Sequence, residues 1–289
     1  MRVHVIGASS PLGSAITRLL VARELSTACY SRRTMAVPTG ARWSNLDLSK
    51  AQSLQALRPD PGDLLVCAAP LRVFAATCAS FRPSNFQRVV AVSSASTVTK
   101  AQSPWLFDRE WAASVRNAER ELIDAFQGSL TLLRPTLIYG SGSDRNVARL
   151  AQFVRRFRIV PLSGGGKGLR APIHVEDLAA IIVHLVVSAP PPSPVFHAPG
   201  PELIPYHEMV SRIAHACGVS PWMPPVPHVP RSLARFLSCL PKPVARFAAA
   251  ASRASEDLIV PDDVRDWGVP RRLFKPDARA VGLQPTEAP

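Results

Sequence analysis

The chain has 289 residues, 47% of them hydrophobic, which supports a sizeable core and excludes a disordered polypeptide. It has no run near the roughly 20 apolar residues of a membrane helix and no signal-peptide anatomy at its amino terminus, so a cytoplasmic protein is expected. The net charge of +13, with 29 of 34 basic residues Arg, points to anionic small-molecule partners; no helix-turn-helix, zinc-finger or aromatic RNA-binding motif accompanies it, so no nucleic-acid role is expected.

Along the first 140 residues, short apolar runs alternate with amphipathic stretches, the pattern of parallel βαβ units. Residues 3–6 read as a buried strand. A helix over 11–24 follows, with Leu12, Ala15, Ile16, Leu19 and Leu20 on one face. Strands are predicted at 26–30, 64–68, 89–93 and 130–133, and helices at 110–126 and 177–187, the latter ending in a Pro-rich linker. Two segments depart from this rhythm. Residues 141–171 are Gly- and Arg-rich and read as a helix plus a loop, and 201–289 are Pro-rich with short helices near 206–217, 231–239 and 244–254. The predicted organisation is a dinucleotide-binding domain over 1–195, with 141–172 contributing to the substrate side, and a small, mostly helical lobe over 196–289.

The segment from Val3 to Gly13 is a strand, a small-residue turn and a helix, where a dinucleotide pyrophosphate binds on backbone amides and a helix amino terminus. This predicts an α/β Rossmann fold, a doubly wound parallel sheet. Gly7, Ser9, Ser10, Leu12 and Gly13 form the expected turn, with Ser10 where the usual spacing has a middle glycine. After the second strand stands Ser31-Arg32-Arg33 rather than an acidic residue. Guanidinium groups suit a 2′-phosphate, so NADP is favoured and NAD is the alternative. The odd number of widely spaced cysteines implies free thiols, Cys29 and Cys67 being inert core residues; the seven His show no ligand spacing, so no metal is expected.

The turn, Leu46-Asp47-Leu48, Cys67-Ala68-Ala69 and Ser93-Ser94 resemble the short-chain dehydrogenase/reductase superfamily. Leu133–Gly140 and Arg170–Leu178 resemble its extended branch, which contains NAD-dependent sugar-nucleotide epimerases and dehydratases; the likeness covers about residues 1–215. It implies that Asp47 lies near the adenine, Ala68 and Ala69 near the nicotinamide ribose, and Pro135 at the nicotinamide end. The branch moves a hydride with a Tyr, a Lys four residues later and a Ser or Thr. Here those positions hold Trp111, Val115 and Ala95, which lack that proton chemistry.

The candidate catalytic substitutes are Lys100, Ser96 and Tyr139, although Lys100 also reads as a solvated loop residue and Tyr139 as a packing aromatic. Arg145, Asn146, Arg170 and His174 are the candidate substrate contacts; His174 also reads as a core histidine, and Asp177 as a residue orienting the following helix. Lys167 after Gly164–Gly166 is not a Walker loop and reads as a flexible rim. Two functions fit. One is an atypical NADP-dependent oxidoreductase or epimerase on a phosphorylated or nucleotide-linked substrate. The other is a catalytically silent NADP(H) sensor or assembly scaffold with a protein partner. A membrane surface is a weaker possibility, through basic amphipathic helices over 230–254.

Overall fold

The computed structural model describes residues 1–50, 53–54, 57–80, 86–144, 146–188, 193–227, 230, 234, 237 and 248–283. In chain order, the first half contains β1 (Val3–Ile6), α1 (Pro11–Ala22), β2 (Thr27–Ser31), β3 (Ala41–Asn45), β4 (Asp63–Cys67), α2 (Leu71–Ser80), β5 (Phe86–Val92), α3 (Ser96–Thr99), α4 (Leu106–Phe126) and β6 (Leu130–Pro135). The second half contains β7 (Ile138–Tyr139), α5 (Val147–Phe157), β8 (Leu162–Ser163), β9 (Leu169–Arg170), β10 (Ile173–His174), α6 (Val175–Val187), β11 (Val195–Ala198), β12 (Ile204–Pro205), α7 (Tyr206–Ala216) and β13 (Pro225–Val226).

Seven strands form one parallel sheet in the order β11-β6-β5-β4-β1-β2-β3. Parallel strands are covered on both faces, so central strands such as Val3–Ile6 and Asp63–Cys67 are wholly buried. On one face α1 and α6 pack through Ile16, Leu20, Ile181 and Ile182. On the other, α2 and α4 pack through Phe74, Leu122 and Phe126. Strand order reverses between β1 and β4, and the carboxyl ends of strands at such a switch point open a crevice.

A smaller lobe stands over that end. In it α5 and α7 bury Val147, Ala151, Met209 and Ile213 against Phe274, Ala280 and Val281 from the carboxy-terminal segment. The last sheet strand, β11, crosses the boundary expected at 195, and Val264 and Trp267 return to the main core, so the chain after 196 serves both parts. Of the helix expected at 231–239 only residues 234 and 237 are described; of the one expected at 244–254, residues 248–252 are described and helical, running into a 3₁₀ turn at Arg253–Ser255. Helix α4 starts at Leu106, four residues before the predicted start. Gly164–Gly166 make a short 3₁₀ turn, and the Gly168 amide donates to the Ala254 carbonyl at 3.0 Å; the expected flexible rim is anchored there. No described helix is long and apolar enough to cross a membrane, and no described group of three or more His, Cys, Asp or Glu could hold a metal ion.

At the amino-terminal end of the sheet His4 is buried, its Nδ1 3.0 Å from the Tyr30 hydroxyl and its Nε2 3.1 Å from Asp63 Oδ2. Burial outweighs the Asp63 hydrogen bond and holds the His4 pKa below its ordinary 6.5; burial also lowers that of His174. The folded chain therefore refuses protons that the unfolded chain binds. That stability is complete above about pH 6.5 and is lost as the pH falls below it. The thermal midpoint is expected to be lower at about pH 5 than at about pH 7.5. A flat profile over that range contradicts the assignment.

Candidate functional site

Two glycines close the β1–α1 turn. Gly7 has φ +79°, and a Cβ there would lie 2.7 Å from the Ala69 amide nitrogen. A Cβ on Gly13 would lie 2.2 Å from the Gly7 carbonyl oxygen. Ser10 caps α1: its Oγ accepts from the Gly13 amide at 3.0 Å, and Pro11 occupies the first helical position. The Ser10 hydroxyl keeps its own proton to donate. The first turn of α1 has no acidic residue, leaving its amides and dipole for an anion.

A cavity of about 430 Å³ opens above this turn, lined by Gly7, Ser9, Ser10, Ser31, Arg32, Arg33, Asp47, Ala68 and Ala69 among others. Leu12 and Gly13 are buried beneath and shape the turn rather than line the cavity. The Ser31 hydroxyl donates to the Arg33 carbonyl at 2.6 Å and accepts from the Trp43 indole at 2.9 Å. It thereby fixes the bend that presents Arg32 and Arg33, both exposed, and is itself committed. Asp47 Oδ1 accepts from the amide and hydroxyl of Ser49, which hold its pKa below the usual value.

A second cavity of about 930 Å³ shares Ser10, Ala68 and Ala69 with the first and runs on to Arg72, Ser93, Ser94, Trp111 and Val115. Trp111 is 47% exposed, with the Arg72 guanidinium 5.4 Å from its ring centroid; Val115 is buried. A third cavity of about 450 Å³ shares Ser94 and Trp111 with the second and is lined also by Ser96, Lys100, Pro135, Asn146, Arg170, Tyr206 and Arg253. Through these shared residues the three cavities adjoin one another along the carboxyl ends of the strands.

No family model matches the sequence, and no curated protein does. Solved structures do. The Bordetella bronchiseptica enzyme WbmH in complex with NAD+ superimposes with a TM-score of 0.68 at 15% identity, covering 96% of each chain. The Thermus thermophilus UDP-glucose 4-epimerase complex with NAD gives 0.58 at 19% identity, covering 88% of this chain and 99% of the other. MoeE5 in complex with UDP-glucose and NAD gives 0.59 at 21% identity, covering 78% and 85%. The chain shares the α/β fold of these structures.

In this fold the third cavity is cationic. Lys100 Nζ is 3.0 Å from Asp108 Oδ1, and Arg253 Nη1 is 2.6 Å from Asp108 Oδ2. The hydroxyls of Ser94 and Ser96 lie 2.8 Å apart. Arg170 is buried, donating from Nη1 to the Leu169 and Glu256 carbonyls and from Nη2 to that of Arg253, with its guanidinium 5.1 Å over the Tyr206 ring. No carboxylate pairs with it among the described residues, and burial pulls its pKa down to about 10.

Two candidates leave the site. Tyr139 is buried, its hydroxyl donates to the Leu273 carbonyl at 3.3 Å, and its ring packs on Phe274. Burial pushes its pKa up to about 12, and it lines none of the three cavities. His174 caps α6, its Nδ1 accepting from the Glu176 amide at 3.2 Å, and its ring packs edge-on against Tyr139. Asp177 does not serve its own helix: it accepts from the backbone amide and Nε of Arg272, fastening the carboxy-terminal segment. Asn146 lines the third cavity at the start of α5, whereas Arg145 lies outside the described residues. Cys29 and Cys67 are buried, and burial pushes the Cys67 thiol up to about 12, so neither is a nucleophile.

The sequence reading did not select Asp108, Tyr206 or Arg253. Only Asp108 had a local cue, as an acid in the first turn of α4 near Lys100. Tyr206 and Arg253 join through chain reversals that no short motif announces.

Proposed function

We propose that the chain is an NADP-dependent oxidoreductase or epimerase acting on a phosphorylated or nucleotide-linked substrate. The observation that carries this reading is the common wall of Ser94 and Trp111, where the dinucleotide groove meets a cavity lined by Lys100, Arg170 and Arg253 and by no carboxylate among the described residues. Neighbours of the same fold bound to NAD and UDP-glucose support a nucleotide-linked sugar. The residues present fit the cofactor: the glycines leave room that a Cβ would fill, and no acidic residue stands between Ser31 and Asp47.

When bound, the nicotinamide cofactor supplies the hydride chemistry. The Gly7–Ser10 turn and the start of α1 hold its pyrophosphate, and Arg32 and Arg33 favour a 2′-phosphate. Arg170 and Arg253 attract the substrate's anionic groups. The Ser94–Ser96 pair orients the reacting oxygen, and Lys100 Nζ, anchored by Asp108, gives or takes its proton. In this role Lys100 replaces the Tyr that is Trp111 here.

A second reading is favoured by one observation. Trp111 and Val115 present an indole and an apolar surface to the groove, as a silent NADP(H) sensor or scaffold would. The test combines the protein with NADP+ and UDP-glucose or UDP-glucuronic acid and follows reduced nicotinamide and sugar products. Lys100→Ala is expected to cost about a hundredfold or more in turnover while leaving cofactor binding intact. Unchanged turnover removes Lys100 from the mechanism, and cofactor binding without turnover in the unmodified protein favours the sensor.

A further inference from the structure

Two stretches contain no acidic residue, from residue 145 to 175 and from 209 to 255. The fold lays parts of them side by side. The Trp222 amide donates to the Arg158 carbonyl at 2.9 Å, the Val160 amide to the Trp222 carbonyl at 2.9 Å, and β8 pairs with β13 in parallel. This ladder brings the carboxyl end of α5 against the loop after α7.

Two large apolar side chains stand out there. Phe157 is 58% exposed, its ring 4.8 Å from that of Phe153, and Trp222 is 68% exposed. Arg155, Arg156 and Arg158 flank Phe157 along the chain, all exposed, and none makes an ion pair among the described residues. Helix α5 is anchored by its opposite face, where Val147, Ala151 and Val154 are buried. Its amino end borders the substrate cavity, so the two features lie roughly 15 Å apart along one helix.

We propose that this face, formed by the end of α5 and the loop around Trp222, binds the surface of an anionic lipid bilayer. Exposed aromatic rings among arginines that make no ion pair with the described residues match the headgroup zone, where the rings enter the acyl boundary and guanidinium groups meet lipid phosphates. The partly exposed neighbours Ile159, Met223 and Val226 add apolar surface rather than base-reading polar groups, which favours lipid over nucleic acid. Membrane attachment then uses a surface separate from the dinucleotide groove.

The test is flotation of the full chain with phosphatidylcholine vesicles, and with phosphatidylcholine–phosphatidylglycerol vesicles at about 2:1, at low and high salt. The protein is expected to float with the anionic vesicles alone and to be released in part by salt. Arg155→Ala with Arg156→Ala is expected to weaken partitioning roughly twentyfold or more, while the charge-keeping change of both to Lys retains it. Trp222→Ser with Phe157→Ser is expected to weaken it about tenfold or more, with NADP+ binding unchanged in every variant. Failure to float, flotation insensitive to these changes, or displacement by nucleic acid that binds through the same residues overturns the proposal.

Discussion

Replacing Glu119 by Ala is expected to cost about 3–5 kcal/mol of stability, because it strands a largely buried guanidinium. Glu119 sits on the inner face of α4, 3% exposed at its side chain, and accepts from Arg134 Nε at 2.8 Å and Nη2 at 2.6 Å. Its Oε1 also accepts from the Ser93 hydroxyl at 2.5 Å. With Ser93, just past the end of β5, the pair therefore ties α4 to β6 at the carboxyl end of the sheet, directly under the groove. Glu119→Gln keeps an acceptor for one of these donors and is expected to cost less than Glu119→Ala. Chemical denaturation measures both. A loss below about 1 kcal/mol for the Ala variant would mean the bridge behaves like a solvent-exposed pair.

The second large effect concerns cofactor choice. Arg32→Ala with Arg33→Ala is expected to weaken NADP+ binding by about ten- to a hundredfold, each charge-assisted hydrogen bond contributing roughly 1.5–3 kcal/mol where it is made. NAD+ lacks the 2′-phosphate, so its affinity should hardly change. Calorimetric titration of both nucleotides reads the difference. Equal weakening of the two would place the arginines on the pyrophosphate or on the fold itself, and no weakening would leave them as solvent-facing charges.

The parts of the architecture that were legible in the sequence are those with local causes. Val3–Gly13 announces its strand, turn and helix because each residue answers a short-range demand: burial for the strand, absence of Cβ at Gly7 and Gly13, capping at Ser10. Strand β3 was not legible as a strand, since Ala41–Asn45 lies at the sheet edge, only half covered, and shows no buried run. The start of α4 at Leu106 was hidden for a similar reason: Trp105 precedes it without any side-chain cap.

The site divides the same way. Arg32 and Arg33 follow a strand whose end the sequence reveals, whereas Asp47 follows the illegible β3 and was picked out through the resemblance alone. Tyr139 and His174 look like site residues in the linear string, but Leu273 and Phe274 return from more than 130 positions along the chain to bury Tyr139, and His174 packs behind it. Arg170 stands in a recognisable motif, yet its setting depends on carbonyls of Arg253 and Glu256 over 80 residues away. Long-range closure of this kind leaves no periodic trace.

The central claim is that the three cavities form one groove, with a dinucleotide's adenosine at Arg32 and Arg33 and its nicotinamide at the Ser94–Trp111 wall. A crystal structure of the complex with NADP+ tests it most directly. The account predicts the 2′-phosphate against Arg32 or Arg33, and the nicotinamide at the mouth of the cavity that holds Ser96, Lys100 and Arg170, with one of the Ser96 and Lys100 polar atoms within hydrogen-bond reach of a substrate oxygen. A nicotinamide covered by Trp111 and Val115, with no polar side chain converging on it, would contradict hydride chemistry and leave a cofactor-binding protein without turnover.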